Sequence, residues 1–129
     1  MPVTLVSIIE GRSGPEKRSL MEAVQGAIAS TLKLPPQDRN LRLAVHGADE
    51  WLLPEGRAEK YVLVEIALFA GRTPETKGEL YAAIVQALEG LGVDKGDVFI
   101  RVIDQPRENF GIRGGMRADL VELGYQVKV

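Results

Sequence analysis

Apolar positions along this chain fall into two blocks with the same succession of periods. Residues 3–9 (VTLVSII) are apolar on both parities, Val3, Leu5 and Ile9 against Val6 and Ile8. The run from Val62 to Phe69 repeats the feature, with Val62, Val64, Ile66 and Leu68 against Leu63, Ala67 and Phe69. Short β-branched runs of this kind predict strands buried on both faces. After each run the period changes to three or four: Leu20, Val24, Ala27, Ile28 and Thr31 in the first block, Leu80, Ile84, Ala87, Leu88 and Leu91 in the second. Those stripes predict two amphipathic helices lying on a sheet. Both helices have marked beginnings. Ser13 with Glu16 fits a capping box with Pro15 in the first turn, and Thr73 caps the second helix with Pro74 at its first position.

Closing strands are expected at about 40–46 (NLRLAVH) and 97–103 (DVFIRVI). Each follows a helix and should run parallel to the strand before that helix, through a right-handed crossover. The result is an α+β chain of two tandem β-α-β repeats, with a four-stranded sheet and two helices on one face. The repeats span about 1–47 and 61–115, with a linker at 48–60 and a tail at 116–129, in a single domain over residues 1–129. Segment 47–61 (GADEWLLPEGRAEKY) joins the copies, and Trp51 is expected to pin it to the body. Residues 124–129 (GYQVKV) suggest a short extra strand.

The two blocks are copies. At an offset of 60 they share Gly11/Gly71, Arg12/Arg72, Lys17/Lys77, Leu20/Leu80, Ala23/Ala83 and Ala27/Ala87, and at 59 they share Asp38/Asp97 and Arg42/Arg101. Only the first copy starts on a proline: the counterpart of Pro2 is Val62. Helices on one face leave the other face of an apolar sheet bare, and a patch of that size calls for a covering. A symmetric closed oligomer is the simplest one.

Composition narrows the chemistry. At 129 residues and a formal charge of −2, nothing points to nucleic acid or an anionic membrane. There is no cysteine and one histidine, which leaves no thiolate or histidine-rich metal site within one chain, and no metal or cofactor is expected. The first 30 residues lack a basic segment followed by an apolar one, so neither a signal peptide nor a membrane span is expected, and the cytoplasm is the expected compartment. Arginine outnumbers lysine ten to six, and Arg101, Arg107, Arg113 and Arg117 crowd one stretch. A guanidinium grips a carboxylate with two parallel donors, so one or two of these suit a small carboxylated substrate, while the rest read as solvated surface.

Pro2 becomes a secondary amine on a rigid ring once Met1 is removed. Such an amine takes a proton from carbon beside a carbonyl, returns one as an ammonium, or forms an iminium with a carbonyl. A Met-Pro start alone decides none of these. The run PVTLVSIIEGRSGPEK resembles the start of 4-oxalocrotonate tautomerases, and Asn109-Phe110-Gly111-Ile112 with Gly114 and Gly115 resembles the FGIGG run that closes that family's repeat. The doubled length, the run Leu34-Pro35-Pro36-Gln37-Asp38-Arg39 and Gly71-Arg72-Thr73 with Glu75-Thr76-Lys77 look most similar to the malonate semialdehyde decarboxylase branch of the tautomerase superfamily.

That resemblance implies an N-terminal proline enzyme built as a homotrimer of double β-α-β chains. Pro2 is then the catalytic amine, Asp38 the aspartate that assists at water or the substrate carbonyl, Arg72 the carboxylate-binding arginine and Phe110 an aromatic wall. Arg12, the twin of Arg72, is either a second substrate arginine or a structural one. Arg101 is either a substrate arginine or a partner of Glu65 or Asp97, and His46 reads as a satisfied polar residue at a strand end. Ala70 and Glu108 stand where that branch often has a second arginine and a tryptophan. The expected activity is keto-enol tautomerisation of a small carboxylated enol or α-keto acid, an isomerase reaction. Decarboxylation or hydration of a three-carbon acid, a lyase reaction, is the alternative, and a non-catalytic assembly module is a further one. One active site per chain is expected, because only one copy has the proline.

Overall fold

A computed structural model describes residues 2–124. Its elements follow the two blocks: β1 (Val3–Ile9), α1 (Gly14–Leu32) and β2 (Leu41–His46), then β3 (Val62–Phe69), α2 (Pro74–Glu89) and β4 (Val98–Gln105). A two-residue-per-strand hairpin, β5 (Gly111–Ile112) and β6 (Met116–Arg117), lies in the tail. The sheet order is β2-β1-β3-β4. β1 runs parallel to β2 and β3 parallel to β4, while β1 and β3 are antiparallel at the centre. The two repeats therefore sit head to tail about a local pseudo-twofold axis, with α1 packed on α2 on the same face.

The caps form as their residues predict. Ser13 accepts a hydrogen bond from Glu16 N–H (3.2 Å) while the Glu16 carboxylate accepts one from Ser13 N–H (2.8 Å). Thr73 accepts from Thr76 N–H (3.1 Å). Both strand-to-helix turns pass through a glycine at positive φ, Gly11 at 128° and Gly71 at 137°, a backbone region that a side chain would strain.

One face of the sheet meets the helices. Val6, Ile8, Val62, Val64, Ile66 and Leu68 pack there against Leu20, Val24, Ile28, Leu32, Leu80, Ile84 and Leu88, all essentially inaccessible. Two stripe positions differ from the periodic expectation. Leu32 closes the α1 stripe in place of Thr31, one residue further round the last turn. Leu91 falls beyond the end of α2 and is 44% exposed; Gly90 caps the helix in a right-handed conformation, and the chain reverses through Gly92 at φ 86°.

The opposite face carries the rows Arg42–Leu5–Glu65–Arg101 and Ala44–Ser7–Leu63–Phe99 in register. Its two ends are covered by the chain itself. At one corner the linker folds back, with the Trp51 ring edge-on to His46 (5.3 Å) and to Tyr61 (5.7 Å), so Trp51 does pin that segment. At the opposite corner Phe110 and Arg107 lie against Phe69, which is fully buried. Between them the face stays open, and Phe99 is 54% exposed. Of the suggested strand at 124–129, residues 125–129 lie outside the described residues. No helix among the described residues is long and apolar enough to cross a membrane.

Candidate active site

The antiparallel centre of the sheet brings distant parts of the sequence to one end. Val3 pairs with Ala67, so Pro2 lies beside the end of β3, and Thr4 N–H donates to Asn40 C=O (2.9 Å), which sets the 38–40 turn on the other side of β1. Pro2 is buried there. Asp38 is buried to 7% exposure in a turn whose N–H donates to Pro35 C=O (3.0 Å), and Gln25 of α1 donates to the Asp38 carbonyl (3.4 Å). Arg72 follows β3 through Gly71 and is buried to 5% exposure, with Nη1 donating to Phe69 C=O (3.2 Å). Asp38 and Arg72, both buried, thus lie toward the same end of the sheet as Pro2.

The aromatic wall completes the same end. Phe110 meets Phe69 edge-to-face, with ring centroids 4.7 Å apart at 81°. Arg107 lies with its guanidinium carbon 5.9 Å from the Phe69 ring centroid and donates from Nη2 to the carbonyls of Ala118 (2.7 Å) and Val121 (2.8 Å). Arg107 was not singled out by the sequence beyond its place in an arginine-rich stretch. The signal that marks it is position: it comes two residues after the end of β4, and Gln105 C=O there accepts from Ala70 N–H (2.8 Å), beside the Arg72 turn.

The other two arginines lie elsewhere in the chain. Arg12 sits at the opposite end of the sheet, where its Nη2 donates to Lys60 C=O (3.2 Å), beside a 230 Å³ cleft lined by Glu16, Ser19, Lys60 and Val93. Burial pushes its guanidinium pKa down, and Glu16 partly opposes that shift. Arg101 lies mid-strand on the open face and holds Glu65 with Nε (3.1 Å) and Nη2 (2.7 Å). Of the alternatives open for Arg101, the Glu65 partnership is the one present, while Asp97 pairs with Arg57 (3.3 Å). Within one chain neither Arg12 nor Arg101 is brought to the Pro2 end. Gly114 and Gly115 sit at positive φ (85° and 93°) in the turn of the tail hairpin.

Two tandem β-α-β units sharing one four-stranded sheet, with both helices on the same face, make the tautomerase fold. Residues 38–113 match the family model for tautomerase enzymes, and the chain belongs to that family. It is 26% identical over 128 residues to the probable tautomerase YusQ of Bacillus subtilis (strain 168), covering 95% of this chain and 100% of that one. Among solved structures it is similar to the FG41 malonate semialdehyde decarboxylase inhibited by 3-bromopropiolate, at 26% identity and a TM-score of 0.84 over 92% of this chain and 94% of that chain. It is also similar to a fused 4-OT solved as a symmetric trimer, at 29% identity and a TM-score of 0.82 over 91% and 96% of the two chains.

Proposed function

We propose that this chain is an N-terminal proline tautomerase acting on a small carboxylated enol or α-keto acid. The observation that carries the reading is the convergence of Pro2, Asp38, Arg72 and Phe110 on one end of the sheet. Removal of Met1 is required, because a proline nitrogen in a peptide bond is an amide with neither a basic lone pair nor a proton to give. In the direction from enol to ketone, the free Pro2 amine takes the hydroxyl proton as the oxygen electrons form the carbonyl. The double-bond electrons move to the neighbouring carbon, which takes a proton from the prolinium. One proton leaves oxygen, one arrives on carbon, and no electrons are exchanged with the protein. Arg72 holds the substrate carboxylate and stabilises the enolate-like charge that develops between the two steps. Asp38 orients the carbonyl end, and Phe110 closes the site to water.

The open middle of the sheet fits a homotrimer, and the likeness to a trimeric fused 4-OT supports the assembly. Arg12 and Arg101 enter the reading only across a subunit boundary, as substrate arginines offered to a neighbouring copy. Decarboxylation is the second reading, favoured by the likeness to a malonate semialdehyde decarboxylase and by the buried Asp38. The test is turnover of a simple enol such as phenylenolpyruvate by wild type and Pro2→Ala, together with the intact mass of protein made in cells. A loss of about 100- to 10,000-fold is expected, the contribution of a positioned acid–base group. Unchanged turnover, or a mass that retains methionine, rules the reading out.

A further inference from the structure

The tail is held on the sheet through one guanidinium, and the group it is held against is part of the proposed site. Arg107 Nη2 bridges two tail carbonyls, those of Ala118 and Val121, at 2.7 and 2.8 Å. The guanidinium carbon of the same group lies over the Phe69 ring, 5.9 Å from its centroid. Phe69 in turn makes two contacts with proposed site residues. Its ring holds Phe110 edge-on at 4.7 Å, and its carbonyl accepts Arg72 Nη1 at 3.2 Å. The circuit closes through Ala118, whose N–H returns to Phe110 C=O (3.0 Å).

Arginine suits this place for a physical reason. Its planar fork places donors toward carbonyls in the plane of the group while its face stacks on an aromatic ring, and a lysine ammonium has no such face. Arg107 Nε is buried without an acceptor among the described residues. An unpaired buried donor offsets part of what the two carbonyl bonds contribute to stability. Loss of the side chain should therefore be read more clearly at the site than in thermal stability.

We propose that Arg107 is a positioning residue: it ties residues 118–121 to a guanidinium seated over Phe69 and so sets the two groups that would meet substrate, the Phe110 wall and the Arg72 guanidinium. The proposal rests on the tautomerase reading above and adds to it a residue that touches neither substrate nor Pro2.

The test uses the full chain with Arg107→Met, Arg107→Lys and, as a control on the far surface of α1, Arg18→Met. Hydrogen exchange at the Ala118 amide should accelerate about tenfold or more in Arg107→Met, as its closed state loses two charge-assisted bonds. KM for the enol substrate should rise about fivefold or more, while the pH dependence of kcat stays that of wild type because the Pro2 amine is untouched. Arg107→Lys should recover at most part of the KM, and Arg18→Met should change neither readout. Accelerated exchange with unchanged KM makes Arg107 a tail anchor with no hand in the site and overturns the proposal, as does unchanged exchange. If Arg107→Met does not fold, Arg107→Lys carries the same readouts. If wild type turns over no enol, the tautomerase reading fails by itself. The latch is then judged by NMR signals of the Arg72 side chain and the Phe110 ring, where a shift of both in the variant sustains it and no shift overturns it.

Discussion

The two ends of the sheet are built from the same repeat and have come to hold different things. At one end β1 is entered at Pro2; at the other, β3 is entered at Val62 from the linker, through Lys60 and Tyr61. Arg72 turns back to the carbonyl of Phe69, the residue three before it, whereas its twin Arg12 reaches across to the carbonyl of Lys60. The linker backbone thus accepts a bond from the first-repeat arginine. Asp38 is buried beside Pro2, while its counterpart Asp97 is taken by Arg57 of the linker (3.3 Å). Phe69, Phe110 and Arg107 cover one corner, and Trp51, His46 and Tyr61 cover the other. Joining two copies through a linker supplies the second end with a backbone acceptor for Arg12 and a counter-charge for Asp97, so the duplication yields two similar scaffolds and one candidate site.

The largest expected effect comes from treating the two strand starts alike. Pro2→Ala removes the ring amine and should cost the 100- to 10,000-fold in turnover given above. Val62→Pro puts the same ring at the matched position and should create no second site, because that nitrogen stays in a peptide bond. Val62 is the first residue of a central strand, flanked by Ile8 and Val98, and first positions tolerate proline better than strand interiors, so the variant should fold with at most a modest fall in denaturation midpoint. A second turnover site in that variant would break the comparison.

Next are the twin arginines. Arg72→Ala should lower kcat/KM about 10- to 100-fold, the worth of a charge-assisted hydrogen bond to a carboxylate. Arg12→Ala should cost clearly less, since Arg12 lies at the opposite end of the sheet from Pro2. Equal losses in steady-state kinetics would mean that both ends serve substrate and would erase the distinction.

The smallest effect separates the two helix caps. Glu16 is held below the usual carboxylate range by the Ser13 backbone N–H and then by the Ser13 hydroxyl. A carboxyl depressed in the folded state adds stability that is complete above its unfolded pKa and is lost as pH falls through the folded value. In the second repeat that place belongs to Thr76, which does not ionise in this range. Glu16→Gln should therefore flatten a small part of the acid limb of Tm against pH, and Thr76→Val should leave the shape of that limb unchanged.

Much of this was legible along the chain. The period change from strand to helix, Ser13 with Glu16 and Thr73 with Pro74 are local signals, and each forms where its residues stand. The boundaries moved where the deciding contact was not local. β4 runs on to Gln105, past the expected 103, because Phe69 offers it a partner in register, and Leu91 leaves the stripe because the chain turns at Gly92. The tail hairpin was missed because its strands are two residues each and carry no period. Pro2, Asp38, Arg72 and Phe110 were visible through resemblance, residue by residue. Arg107 was not, since its role depends on Ala118 and Val121 folding back over it.

By itself the sequence determined the doubling, the helix faces, the caps and the single proline, because each is written in residues a few positions apart. Only the tertiary structure decided which arginine stands by that proline. β1 and β3 run antiparallel, so the start of the first repeat meets the end of β3, and Arg72, seventy residues away in sequence, comes to the same end of the sheet as Pro2 while Arg12 is carried about 20 Å to the far end of the strand. Strand direction is a property of the assembled sheet, and no local pattern encodes it.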